Sequence, residues 1–278
     1  MIRLDAALAE RGLARSRSAA AALIAEARVR VDGATTLKAS TKVSENQELS
    51  VDGDSHYVSR AAHKLLSALD NFPVDPTGRV ALDAGASTGG FTQVLRERGA
   101  REVFAVDVGH DQLAASVRAD ESVRVFEGLN VRDLQGQHLQ HKSATNSLPS
   151  LVVGDLSFIS LTLVLQALRD AAEPGADFLL LIKPQFEVGK SGIKEGIVRK
   201  ADLRAHAIAT VLWHAWDLGL ATAGLLPSPI TGGAGNLEYL VWFRDAKIHD
   251  ADPAATSGNP SEWEETVKKL AAEGKSTA

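Results

Sequence analysis

Four charged residues from distant stretches of the sequence could share one site: Lys64, Asp155, Lys183 and Glu238. Asp155 closes the apolar run Val152-Val153-Gly154, and Lys183 closes Leu181-Ile182, so each stands at the tip of a strand-like segment. In open α/β sheets, ligands bind beyond the carboxyl ends of the strands. Pro184 lacks a backbone donor and pins the turn after Lys183. A lysine at a strand tip is ordinarily solvated, but the apolar run before Lys183 and the facing Asp155 point to burial and pairing. Lys64, in the helix before the first large strand, and Glu238, entering the last, would complete a cluster of alternating charge. Such a cluster can hold or take the proton of a weakly acidic group.

A second centre is the run Val80-Ala81-Leu82-Asp83-Ala84-Gly85-Ala86-Ser87-Thr88-Gly89-Gly90-Phe91, which reads as a strand, a glycine-rich turn and a helix start. Glycine turns the chain sharply and lets a ligand approach the backbone. The next strand ends at Val106-Asp107, 22 residues after Gly85, where an acid would meet ribose hydroxyls. A dinucleotide site wants glycine at the third turn position, so that pyrophosphate can sit on the helix N-terminus. Here that position is Ser87, and Asp83 precedes the turn. A carboxylate there repels phosphate but could orient the amino group of a methionine moiety, which favours S-adenosylmethionine over NAD. The turn could also serve backbone geometry alone, and Asp107 owes its interest to its spacing. Asn130, after the third strand, either offers adenine a hydrogen bond or simply forms the turn.

The elements that must position these groups divide the chain in two. Leu4 and Leu8 mark a short amphipathic helix stopped by Gly12, and Ser16 or Ser18 can cap a second, Ala19 to Ala27. Val29-Arg30-Val31 alternates as a strand, Asp32-Gly33 turns, and Leu37, Val43, Leu49 and Val51 mark further short strands. From Ser59 the pattern changes: helical spacing runs through His63, Leu65, Leu66 and Leu69. Five apolar runs then alternate with helices, at 79–82, 102–106, 123–126, 151–153 and 178–182. Strands apolar on both faces, alternating with helices, predict a parallel sheet covered on both sides. Two late strands, 223–226 and 239–243, lie close enough for an antiparallel edge pair. Asn259-Pro260-Ser261-Glu262 starts a charged helix in a tail expected to be dispensable for any core.

Composition narrows the function classes. The 278 residues are 45% hydrophobic, enough for a full core, and contain no Cys, which excludes disulfide scaffolds, thiolate metal sites and cysteine nucleophiles. No apolar run approaches the ~20 residues of a membrane span. Met-Ile-Arg-Leu-Asp carries no apolar signal region, so a cytoplasmic protein without membrane association is expected. The net charge of −5 argues against a uniformly basic RNA coat, yet residues 1–30 hold six arginines (3, 11, 15, 17, 28 and 30) against three acids. These could bind RNA phosphates or be ordinary surface charge on alanine-rich helices. The eight histidines show no metal-ligand spacing.

The order Lys64, Asp155, Lys183, Glu238 resembles the Lys-Asp-Lys-Glu tetrad of FtsJ-like RNA ribose 2′-O-methyltransferases. The whole chain is similar to the TlyA family of rRNA methyltransferases, also called the haemolysin A family. The matching stretches include Ser59-Arg-Ala-Ala-His-Lys-Leu, Leu82-Asp-Ala-Gly-Ala-Ser-Thr-Gly-Gly-Phe-Thr, Gly154-Asp-Leu-Ser-Phe-Ile-Ser, Lys183-Pro-Gln-Phe-Glu-Val-Gly-Lys and Gly235-Asn-Leu-Glu-Tyr. The resemblance implies an α/β chain: a small α+β S4-like RNA-binding domain (1–54), a linker (55–60), and a Rossmann-like class I methyltransferase domain (61–245). Its sheet would be doubly wound, seven-stranded and mostly parallel with an antiparallel edge, followed by a polar linker and charged helix (246–278).

The implied reaction moves a methyl group from S-adenosylmethionine to a cytidine 2′-hydroxyl in ribosomal RNA of the ribosomal subunits, with no obligate protein partner. Asp83, Gly85, Ala86, Ser87, Gly89, Gly90 and Phe91 would shape the cofactor pocket, with Asp107 on the ribose and Val108, Asn130 and Asp155 beside it. Arg3, Arg11, Arg15, Arg17, Arg28, Arg60 and Lys190 would contact RNA. Lys183 would act either as a neutral base or as a charged group that positions the hydroxyl. The sulfonium supplies the leaving group, so no metal is required. Some members carry an Arg-x-Trp-Val linker where this chain has Ser55-His56-Tyr57-Val58, so coupling through the linker is expected to differ. Two other readings compete: a non-catalytic RNA-binding assembly factor and, less supported, a haemolysin.

Overall fold

The computed structural model describes residues 1–14, 16–25, 27–51, 56–189, 192–232, 235–250 and 258–273. Arg15, Lys190, Ser55 and the last tail residues, 274–278, lie outside the described residues. The chain divides into two units, Met1–Tyr57 and Val58–Ala278.

The first unit opens with β1 (Ile2–Arg3) and α1 (Leu4–Glu10), followed by α2 (Arg17–Ala25), β2 (Val29–Val31), β3 (Ala34–Thr35), β4 (Lys42–Val43) and β5 (Leu49–Val51). Leu4, Leu8, Ile24, Val29, Val43 and Leu49 form its core. Three details differ from the sequence expectation. Helix α2 begins two residues early, with the Ser16 hydroxyl accepting from Ala19 N, and ends before Ala27, whose φ is 58°. Leu37 belongs to no strand and is 65% exposed. The strand Ile2–Arg3, too short to show a period, pairs antiparallel with Lys42–Val43.

The second unit runs α3 (Ala62–Asn71), β6 (Val80–Ala84), α4 (Gly90–Glu97), β7 (Glu102–Val106), α5 (Ala115–Arg118), β8 (Val123–Phe126), α6 (Gly136–Lys142) and β9 (Leu151–Gly154). It continues through α7 (Leu165–Asp170), β10 (Asp177–Ile182), α8 (Pro184–Glu187), α9 (Ala201–Asp217), β11 (Leu220–Pro227), β12 (Tyr239–Asp245), α10 (Ala246–Asp250) and α11 (Glu264–Glu273). Its seven-stranded sheet has the order β11-β12-β10-β9-β6-β7-β8. The pairs from β10 to β8 are parallel, and β12 pairs antiparallel with both β10 and β11. Strand order reverses between β6 and β9, so the carboxyl ends of β6 and β9 diverge into a crevice. Strands β6 and β7 are buried along their whole length, as the unbroken apolar runs required.

The tail departs from expectation. Val267 and Ala271 are buried, Trp263 and Leu270 pack against the main core, and α11 lies on α9. The spacing 263, 267, 270, 271 is a helical apolar stripe that the many charges between had obscured. The tail helix is therefore part of the core. Val267→Asp is expected to lower stability in urea unfolding by roughly 2–4 kcal/mol, because it places an unpaired carboxylate in that contact. Lys268→Ala, on the exposed face of α11, should change it by no more than about 0.5 kcal/mol.

Candidate active site

Each member of the tetrad comes from a different element. Lys64 lies in the first turn of α3, Asp155 follows β9, Lys183 follows β10, and Glu238 precedes β12. Because β12 runs antiparallel to β10, its beginning lies beside the end of β10, with Tyr239 opposite Ile182. The four side chains meet in a chain of alternating charge. Lys183 Nζ lies 2.7 Å from Asp155 Oδ1. Lys64 Nζ lies 3.0 Å from Asp155 Oδ2 and 2.7 Å from Glu238 Oε2. Lys64, Lys183 and Glu238 are almost wholly buried. Burial pushes the Asp155 carboxyl up, but the ammonium groups of Lys183 and Lys64 outweigh it and hold the group below the usual carboxylate range.

Two further side chains join the cluster. Lys183 Nζ donates to Ser157 Oγ at 2.9 Å, and Gln185 Nε2 donates to Glu238 Oε1 at 3.2 Å. Both residues stand in stretches that the sequence had marked, two residues beyond Asp155 and Lys183, but nothing in their types announced contact with the charges. Gly232 leaves room for Glu238, whose Oε1 lies 2.5 Å from where a Cβ would stand.

The cluster borders a cleft of about 920 Å³ at the carboxyl end of the sheet, reaching it through Asp155, Ser157 and Gln185. Among the expected cofactor residues, Gly85, Ser87, Asp107, Val108, Asn130 and Asp155 line this cleft. Gly85 has a φ of 83°, a left-handed conformation that a side chain disfavours. Asp107 accepts from Ser87 N at 2.8 Å and from Gly109 N at 2.7 Å, which fixes its carboxylate at the mouth of the turn. Asn130 both lines the cleft and caps the short helical turn Val131–Asp133 by accepting from Arg132 N.

Others lie behind the wall. Ala86 packs beneath the turn with Leu113 and Val117, Gly89 faces the same two side chains, Gly90 abuts Ser59 and Ala62, and Phe91 is buried. Asp83 is the fourth residue of the five-residue β6, so it points away from the core face of Leu82 and Ala84. Its carboxylate accepts from Thr92 Oγ1 at 2.6 Å and does not line the cleft. Burial raises it to about 7, against the lowering effect of the Thr92 hydrogen bonds, and the charges of Asp155 and Asp107 add to the rise.

The opposite wall is apolar and was not anticipated. Phe158 adopts a φ of 65° and is 91% exposed. A bulky residue in that region is strained by about 1–3 kcal/mol. Its ring lies 5.3 Å from that of Phe186, centroid to centroid, on the rim of the cleft.

Of the basic residues, Arg11 donates to the carbonyls of Ser44, Glu45 and Gln47, tying α1 to the turn before β5. Arg3 and Arg17 both bind Asp5, at 3.0 and 3.3 Å, and the Arg3 hydrogen bond is the main reason that carboxyl sits at about 2. These three arginines thus commit donors to their own unit. Arg28 is half-buried and Arg60 is exposed.

The raised Asp83 carries a pH signature. An acid whose folded pKa exceeds its unfolded value stabilises the fold fully below the unfolded pKa, and that stabilisation is lost as pH rises towards the folded one, here about 7. Asp83→Asn removes this dependence. In urea titrations the variant should gain on the parent between pH 4 and 7, at up to about 1.4 kcal/mol per unit, and the gap should stay constant above.

The profile of the FtsJ-like methyltransferase family matches residues 57–245, and that of the S4 domain matches residues 2–49. The chain is 48% identical to the 16S/23S rRNA (cytidine-2′-O)-methyltransferase TlyA of Mycobacterium tuberculosis, over 87% of this chain and 89% of that one. It is 35% identical to hemolysin A of Brachyspira hyodysenteriae, over 87% of this chain and 99% of the relative. The solved structure of a protein described as a hemolysin, from Streptococcus thermophilus, matches with a TM-score of 0.75 and 34% identity, covering 98% of this chain and 94% of that one. With the tetrad assembled beside a glycine-turn cleft, the chain belongs to the TlyA family of FtsJ-like methyltransferases that carry an N-terminal S4 domain.

Proposed function

We propose that this protein transfers a methyl group from S-adenosylmethionine to a cytidine 2′-hydroxyl of ribosomal RNA, acting on ribosomal subunits in the cytoplasm. The observation that carries the reading is the buried Lys183–Asp155–Lys64–Glu238 chain, which opens into the cleft beside the glycine turn. The cleft suits an adenosyl donor. Its size lies in the upper part of the range for small-molecule sites, and its walls mix apolar side chains with polar ones such as Asp107, Asn130 and Asp155. Gly85 and Ser87 would bound the donor, Asp107 would accept from its ribose hydroxyls, and Val108, Leu129 and Asn130 would flank its base. When bound, S-adenosylmethionine supplies an electrophilic methyl group on a sulfonium that departs as a neutral thioether.

The residues of this chain then act on the other reactant. A ribose hydroxyl is a weak acid and a weak nucleophile, so its oxygen must be aimed and its proton given an acceptor. Lys183, held by Asp155 and Ser157 behind the cleft wall, would hydrogen-bond that oxygen. Asp155 stays anionic at neutral pH and presents the acceptor, because the proton becomes far more acidic as the methyl arrives. Lys64 and Glu238 keep Asp155 in place. The Phe158 ring offers a flat apolar face on which the target base can stack at the rim. Exposed arginines of the S4 unit supply phosphate contacts, in line with the RNA-binding reading of that domain.

The decisive experiment is transfer of tritiated methyl groups onto unmodified ribosomal subunits, followed by nuclease mapping of the labelled nucleotide. Label on a cytidine ribose is expected. Absence of label on every rRNA, with cofactor binding shown by calorimetry, would reject the enzyme and leave an RNA-binding role. Lys183→Ala should retain RNA binding and lose transfer by roughly 10²–10⁴-fold. Phe158→Ala should weaken RNA engagement by about 1–3 kcal/mol while the cofactor Kd stays constant.

A further inference from the structure

Arg204 is a buried arginine, 4% exposed, in the first turn of α9. Its donors go to backbone carbonyls of two segments that are distant in sequence. Nη1 donates to Val198 O at 3.1 Å and to Arg199 O at 2.8 Å. Nε and Nη2 both donate to Ala271 O, at 3.1 and 2.5 Å. Ala271 lies in the last turn of α11, where carbonyls have no partner within the helix and the helix dipole is negative. The guanidinium therefore joins the end of the tail helix to the segment before α9.

That segment is one side of the substrate cleft. Val188 and Ile193 line the cleft, and residues 192–199, Ile193 among them, form a strap that leads to α9. Gly192 rests on Leu203, one residue before Arg204, with 3.4 Å between the Leu203 methyl and a Cβ position on Gly192. On its other side the strap is held by Asn236, itself 4% exposed: Asn236 Oδ1 accepts from Val198 N at 3.1 Å, and Nδ2 donates to Gly196 O at 2.8 Å. Asn236 stands two residues before Glu238, so the strap and the tetrad share one anchor. Lys194 and Arg199 on the strap, and Lys200 next to it, are exposed.

We propose that Arg204 is a positioning residue for the substrate side of the cleft, and that the C-terminal helix, through Ala271 O, works as its fixed end. The strap then presents Ile193 to the nucleoside and its basic side chains to the RNA backbone in one set geometry. Apart from Asp155, the expected cofactor residues that line the cleft lie in the turns after β6, β7 and β8, and none of them bonds to the clamp's anchors. The proposal rests on the methyltransferase reading for its catalytic consequence, but not for its structural one.

The test compares the full chain with its Arg204→Gln and Arg204→Lys variants, by hydrogen exchange, cofactor calorimetry and methyl transfer to ribosomal subunits. In Arg204→Gln, amides of 192–199 should exchange at least tenfold faster while those of β6, β7 and β9 keep their protection. The cofactor Kd should stay within twofold, and kcat/KM for RNA should fall at least tenfold. Arg204→Lys, which keeps the charge but not the fork, should recover part of both losses. Unchanged exchange in the strap overturns the proposal, as does faster exchange with unchanged transfer, or a loss of transfer matched by equal losses of cofactor affinity and melting temperature. If the parent chain methylates no RNA, the functional reading fails, while hydrogen exchange still decides whether the clamp exists.

Discussion

The second unit is organised around the burial of two ammonium and two carboxylate groups in one row. Removing a charge from water costs several kcal/mol, and only close partners of opposite sign offset it. Lys64 satisfies that condition by bridging Asp155 and Glu238, at 3.0 and 2.7 Å, while Lys183 caps the other side of Asp155. Because the four side chains come from α3, β9, β10 and β12, the row tolerates no large displacement of any of these elements. Loss of Lys64 would take from Glu238 its ammonium partner in the row, and loss of Asp155 would take from Lys183 its carboxylate. The same arrangement keeps Asp155 anionic and ties Lys183 to it, so the constraint on the fold and the proposed chemistry rest on one set of contacts.

Much of this was legible from residue types. Strands β6 to β10 showed themselves as short apolar runs, because a sheet covered on both faces leaves no polar alternation. The tetrad could be read because acid and base at strand tips are unusual after apolar runs, and because an open α/β sheet gathers its strand ends in one place. Asp83 shows what spacing cannot convey: it stands inside β6, and its carboxylate meets Thr92 of α4, a contact that only the fold brings about. Phe158 gave no warning at all, since neither its exposure nor its positive φ is written in a local pattern. Ser157 and Gln185 matter only through neighbours brought close by folding.

The tail and the N-terminal unit show two other limits. In α11, exposed charges dominate the composition, so a narrow stripe of four apolar positions was outvoted although it sets the packing. In the S4 unit, six arginines suggested a surface for RNA, yet Arg3, Arg11 and Arg17 also hold the unit together, through Asp5 and through the carbonyls of 44, 45 and 47. A small core of the kind seen here benefits from such ties. Charge counts alone do not separate a group that binds a partner from one that binds its own chain.

The reversed direction of β12 has a consequence for how this architecture can vary. Every parallel strand contributes to the cleft with the residues that leave it, whereas β12 contributes with those that enter it. The connection from β11, at 228–238, is thus the only link between two antiparallel strands of the described sheet whose length and wording bear directly on Glu238. Sequence drift at the exit of β12 leaves the reacting end untouched, and an inserted residue at its entrance shifts a charge. Lineages sharing this scaffold should accordingly be conservative in that hairpin tip and tolerant of insertions directly after Asp245.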